Sequence, residues 1–135
     1  MKAIVDTGFL VAYLNRRDAH HDWAVGVESQ MDLPVLTCEA VLAETAYILQ
    51  DTRGVLGLIE DRFVEIAFAA DDHLSHLVEL CERYSDRAPD LADLCLIRMS
   101  EMNPDHSVVT TDREDFRVYR RNKREIIPLI CPPGK

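Results

Sequence analysis

The residues best placed to do chemistry in this sequence are acids at the ends of apolar runs. Asp6 directly follows Lys2-Ala3-Ile4-Val5, and Asp112 lies two residues past Thr110, at the end of the run from Ser107. Asp90 and Asp93 bracket the first turn of a helical pattern, three residues apart and so able to share a face. Glu44 falls in the first turns of the helix after a second apolar run. On one rim these carboxylates repel each other, by ~4 kcal/mol for a pair ~4 Å apart at an effective dielectric near 20. A like-charged pair responds by raising one pKa, whereas a cluster of four calls for a divalent ion. Oxygen-only ligation selects a hard cation such as Mg²⁺ or Mn²⁺, with open positions for a phosphate oxygen and an attacking water.

Not every acid carries that weight. The chain has 24 of them, and some settle at helix N-termini because the macrodipole favours them there. Asp90 serves equally well as a helix cap, and Glu114 and Asp115 read as solvated surface. Asp6 stands apart, because it ends an apolar strand and its sequence neighbours offer no cation.

The elements that must position these acids alternate along the chain. Residues 2–5 read as a buried strand, and Phe9, Leu10, Ala12, Tyr13 and Leu14 continue at helical spacing. A weaker helix covers 21–31, a strand 33–37, a helix from Cys38 to about Leu49, and another 55–62. The segment 63–68 reads as a strand at a sheet edge. Asp71-Asp72 opens a helix whose core face is Leu74, Leu77, Val78 and Cys81; a further helix spans 91–102. Strands follow at 107–110 and 126–130, the latter at an edge because of Pro128. Strands alternating with helices predict a three-layer α/β sandwich around a mostly parallel sheet. Ligands of such sheets bind beyond the carboxyl ends of the strands, where the strand order reverses, which is where the acids fall.

Composition bounds the rest. At 135 residues, 47% hydrophobic and 29% charged, the chain is expected to form one globular domain, 1–135. No apolar run approaches the ~20 residues that span a bilayer, and a carboxylate at position 6 comes too early for a signal peptide. The cytoplasm is the expected compartment. Fifteen basic residues against 24 acids give a formal charge of −9, which disfavours bulk attraction to nucleic acid. The basic residues are uneven, however: Arg117, Arg120, Arg121, Lys123 and Arg124 crowd one stretch with Tyr119 among them. That stretch is either a solvated loop or a guide for an RNA backbone, with Tyr119 available for stacking. The four scattered cysteines match no zinc pattern and read as buried thiols. His73 and His76 share a helical face but read as surface.

Four segments resemble, in order, the motifs of PIN-domain nucleases, particularly the VapC-type toxins of bacterial toxin–antitoxin pairs. They are Val5-Asp6-Thr7-Gly8-Phe9-Leu10, Val41-Leu42-Ala43-Glu44, Asp90-Leu91-Ala92-Asp93-Leu94-Cys95-Leu96, and Val109-Thr110-Thr111-Asp112-Arg113-Glu114-Asp115-Phe116. The resemblance implies a PIN-like fold and Mg²⁺- or Mn²⁺-dependent endoribonuclease activity. It carries the acidic quartet onto Asp6, Glu44, Asp93 and Asp112, with Asp6, Asp93 and Asp112 as metal ligands. Asp90 matches an additional acid, Thr7 and Thr111 match hydroxyl positions beside the acids, and Asp115 is the fallback for Asp112. The resemblance further implies a homodimer and an antitoxin partner. Two rivals stand beside it: a phosphoacceptor signalling domain, and a catalytically silent PIN-like module that only binds protein. The first wants paired acids after strand one and a late Lys, whereas only Asp6 follows that strand and no Lys lies between Lys2 and Lys123.

Overall fold

The computed structural model describes residues 1–134. Its centre is a five-stranded sheet built from β1 (Ala3–Val5), β2 (Val35–Thr37), β3 (Val64–Ile66), β4 (Ser107–Val109) and a last strand, Leu129–Ile130. The spatial order is β3-β2-β1-β4 and then the last strand, with every pairing parallel. Ile4 and Val5 of β1 and Val108 and Val109 of β4 are fully buried, as expected of strands covered on both faces. The chain winds outward from β1 through β2 to β3, then returns to lay β4 on the other flank of β1. The strand order therefore reverses between β1 and β4, and Asp6 and Asp112 follow those two strands.

Helices α1 (Thr7–Leu14), α2 (His21–Glu28), α3 (Glu39–Leu49), α4 (Thr52–Glu60), α5 (Leu74–Arg83), α6 (Leu91–Met102) and the single turn α7 (Arg113–Phe116) fill the connections. Helix α6 is the most buried, with Ala92, Leu94, Cys95, Leu96, Ile97, Met99 and Ser100 inside. The three-layer expectation therefore describes the molecule, and the expected edge strand at 63–68 is present but shorter, as β3 over Val64–Ile66. Among the described residues no helix is long and apolar enough to cross a membrane.

Several local expectations are corrected. Helix α1 starts at Thr7 rather than Phe9, because Asp6 caps it directly. The second helix ends at Glu28. The expected strand 126–130 is split around Ile127-Pro128. Glu125–Ile126 (β6) pairs antiparallel with Arg120–Arg121 (β5) in a separate hairpin, and only Leu129–Ile130 (β7) joins the main sheet, at its edge. The expected core face of α5 is rotated: Leu77 and Leu80 are buried, whereas Leu74 and Val78 are exposed and Cys81 faces solvent. Cys38 and Cys95 are buried thiols as expected, but Cys131 is half-buried.

Candidate active site

Asp6 is the most enclosed acid of the cluster, 7% exposed. Its backbone N–H donates to the Val109 carbonyl at 3.0 Å, which continues the β1–β4 pairing one residue beyond the strand. Its Oδ1 accepts from the Thr7 N–H at 2.6 Å, and its Oδ2 from the Thr110 hydroxyl at 2.6 Å. Burial pushes the Asp6 carboxyl up to about 6; the Thr110 and Thr7 hydrogen bonds pull the other way, and Glu44 and Asp112 add repulsion.

Asp93 sits in the first turn of α6, where Asp90 caps the helix by accepting from the Asp93 N–H at 2.8 Å. Asp90 is thus a helix cap in fact, and it also lines the cleft. Burial pushes Asp93 up to about 7, with repulsion from Asp90 next. The Tyr119 hydroxyl donates to Asp93 Oδ2 at 3.0 Å and opposes that rise. Asp112 caps α7 by accepting from the Asp115 N–H at 3.1 Å, and burial likewise raises its carboxyl.

These groups meet at one cleft of about 430 Å³, lined by Asp6, Thr7, Glu44, Asp90, Asp93, Thr111, Asp112 and Asp115. Carboxylate oxygens of Asp93, Asp112 and Asp115 lie within 4.8 Å of one another. That donor set fits a hard dication, since all its atoms are carboxylate oxygens. The buried Thr7 hydroxyl, which has no hydrogen-bond partner among the described residues, adds a polar atom at the same place. Among the described residues His73 and His76 join no such group; His73 stacks on Phe68 and accepts from Arg98 Nε at 3.2 Å.

Arg117, Arg120, Arg121, Lys123 and Arg124 do not line this cleft. Arg121 is buried and donates to the Ser100 and Pro104 carbonyls at 3.2 and 3.1 Å, while its Nε pairs with Glu125. Arg120 Nη1 donates to the Arg117, Val118 and Tyr119 carbonyls. Arg117, Lys123 and Arg124 are exposed. Tyr119 is fully buried between Phe116 and Tyr84, so stacking on a base is closed to it.

The PIN domain family model matches residues 3–122, nearly the whole chain. The chain belongs to the PIN domain family. Among solved structures, this PIN domain is similar to Mycobacterium tuberculosis VapC20, described as a sarcin–ricin loop cleaving toxin. The two share 21% identity over 84% of this chain and 92% of that one, with a TM-score of 0.71. No curated protein sequence matches it significantly.

Three residues serve the PIN domain's cleft without a mark in the sequence: Thr110 and Tyr119 bond its acids from behind, and Arg87 lines it. Thr110 reads from the sequence only as a strand end, although it bonds Asp6; Thr7 and Thr111 are the hydroxyls that the motifs single out. Tyr119 reads from the sequence as a stacking residue but bonds Asp93, and no motif singles out Arg87. No local signal marks the first two, since each partner lies more than 20 residues away. Arg87 stands three residues before the Asp90 cap, and that proximity was the available clue.

Proposed function

We propose that residues 1–135 form a metal-dependent endoribonuclease, the toxin of a toxin–antitoxin pair. One observation carries the reading: Asp6, Glu44, Asp93 and Asp112, from four separate segments, line one cleft at the strand-order reversal. Membership of the PIN family and the fold likeness to a toxin that cleaves RNA support it. The same membership leaves the phosphoacceptor reading without support.

Asp6, Asp93 and Asp112 would hold one or two Mg²⁺ or Mn²⁺ ions, with Asp115 the alternative fourth acid. When bound, such an ion supplies acidification of water and neutralises charge growing at the phosphoryl group. Glu44 orients the attacking water or completes the ligand set, and the unpaired Thr7 hydroxyl is placed to hold a water. Thr111 lines the cleft beside Asp112 and supplies a second hydroxyl. Thr110 and Tyr119 keep the Asp6 and Asp93 carboxylates aimed. No side-chain nucleophile is needed, so in-line displacement of the 3′ oxygen leaves 5′-phosphate and 3′-hydroxyl ends. An antitoxin and a second copy of the chain are the protein partners proposed with this activity, and the cytoplasm its compartment.

Purified protein is incubated with RNA plus Mn²⁺ and, separately, with a small-molecule phosphodonor. Metal-dependent cleavage that Asp6→Asn abolishes, without phosphorylation, supports the reading. Normal cutting by Asp6→Asn overturns it. Comparing Asp112→Asn with Asp115→Asn assigns the fourth acid to the variant that loses more. Inactivity of the wild-type chain toward every RNA tried favours the silent protein-binding module.

A further inference from the structure

One cation of the cleft has no part in the reading above. Arg87 ends the 3₁₀ turn Ser85–Arg87 and is the only Lys or Arg among the described residues that line the cleft with Asp6, Glu44, Asp93 and Asp112. Its backbone is held on both sides. Arg87 N–H donates to the Tyr84 carbonyl at 2.9 Å, and Ala88 N–H to the Ser85 carbonyl at 3.2 Å. Ala88 adopts a left-handed conformation (φ 46°, ψ 57°), and Pro89 then delivers the chain to Asp90, the cap of α6. The turn thus ties Arg87 to the helix start that carries Asp93.

The side chain is anchored too. Arg87 Nη1 donates to Asp115 Oδ1 at 2.7 Å, and both side chains are about one-third exposed. A guanidinium offers five donors in a planar fork that matches phosphate oxygens. Asp115 takes the only side-chain hydrogen bond of Arg87 among the described residues, leaving the rest of the fork for a ligand. A polyanion entering a cleft lined by so many carboxylates needs a cation at its mouth, and the basic stretch spends Arg120 and Arg121 on main-chain carbonyls.

We propose that Arg87 is a substrate-positioning residue: it binds a non-bridging phosphate oxygen of the RNA at the lip of the cleft, and Asp115 holds its guanidinium in place. The proposal rests on the endoribonuclease reading.

The test combines cleavage kinetics in Mn²⁺ with binding of a short single-stranded RNA by fluorescence anisotropy across a salt series. Arg87→Ala is expected to raise KM about tenfold with kcat within about twofold, and to lower the slope of log K against log salt by about 0.7, the value of one phosphate contact on a single strand. Arg87→Lys, which keeps the charge without the fork, should fall between. If Arg87 acted only by restraining Asp115, its substitution in an Asp115→Asn background would leave RNA binding unchanged; the expected result is a loss of salt slope in that background too, smaller than in the wild type because the guanidinium is no longer held, and read by anisotropy because Asp115 is a candidate metal ligand. Wild-type KM and salt slope in Arg87→Ala, or an unchanged anisotropy salt slope when it is added to Asp115→Asn, overturns the proposal. Failure of the wild-type chain to cleave RNA sinks the nuclease reading instead, and the anisotropy salt slope still decides whether Arg87 contacts phosphate.

Discussion

The Thr110 hydroxyl donates to Asp6 Oδ2 at 2.6 Å and accepts from the Asp112 N–H at 2.9 Å, so one buried side chain couples the acids that follow β1 and β4. Removing it leaves a buried acceptor and a backbone donor unpaired. Thr110→Val, nearly isosteric, is expected to lower stability by about 1–3 kcal/mol. It should also push the Asp6 carboxyl above its value of about 6. Thermal melts and the acid limb of the cleavage pH profile, displaced upward, are the readouts; Thr110→Ser should keep both near wild type.

Tyr119 does the same service for Asp93 from the hairpin side. Phenylalanine preserves its packing against Phe116 and Tyr84 but removes the donor. Tyr119→Phe is expected to cost about 1–2 kcal/mol and to raise Asp93 further, so activity falls most near neutral pH and recovers partly in alkali. A flat ratio of variant to wild-type activity across pH would contradict that role.

Stability of the metal-free chain should depend on pH with a definite sign. Asp6 and Asp93 are raised to about 6 and about 7 in the fold, above the ordinary aspartate value near 3.9 of an unfolded chain. Between about pH 4 and 7 the folded chain holds more protons than the unfolded one, and stability falls as pH rises. The two-unit shift of Asp6 corresponds to about 3 kcal/mol once it is fully ionised. Melting in EDTA from pH 4.5 to 8 should show a steeper decline for the wild type than for Asp6→Asn. Mn²⁺ at pH 8 should raise the wild-type melting temperature, since an ion that binds only the folded chain stabilises it.

Gly8 packs α1 against the segment that carries Asp112. A Cβ built there lies 2.0 Å from the Thr111 hydroxyl and 3.1 Å from Thr111 Cβ. Gly8→Ala is therefore expected to displace Thr111 from the cleft wall, at about 1–3 kcal/mol of overpacking and with a loss of cleavage. Adding Thr111→Ala removes the hydroxyl that clashes and should recover part of the stability, measured by denaturant titration.

Arg121 behaves as a structural residue. Its replacement by Leu orphans the carbonyl of buried Ser100 and removes the tie to the Pro104 carbonyl, and is expected to cost about 2–4 kcal/mol. Exposed Lys123 changed to Ala should leave stability within about 0.5 kcal/mol. Chemical denaturation of the two variants makes the comparison, and equal stabilities would contradict the buried role.

What the sequence determined by itself was the alternation of strands and helices and the acids that close them. A short apolar run ended by Asp6, or by Thr110-Thr111-Asp112, is a local pattern, and strand polarity alone sends both to the carboxyl edge of a parallel sheet. Asp90 was readable as a cap for the same local reason. Periodicity announced an apolar face on α5 but not its direction: Leu74, Leu77, Val78 and Cys81 fit the spacing as well as the Leu77 and Leu80 actually buried, because only the neighbouring element decides which flank is covered. The Thr110–Asp6 and Tyr119–Asp93 hydrogen bonds span 104 and 26 residues. They depend on strand order and on the fold of a hairpin, as does the burial that lifts Asp6 and Asp93. Those were decided by tertiary structure alone, since hydrogen bonding and desolvation act through space, over a few ångströms, on groups the chain keeps far apart.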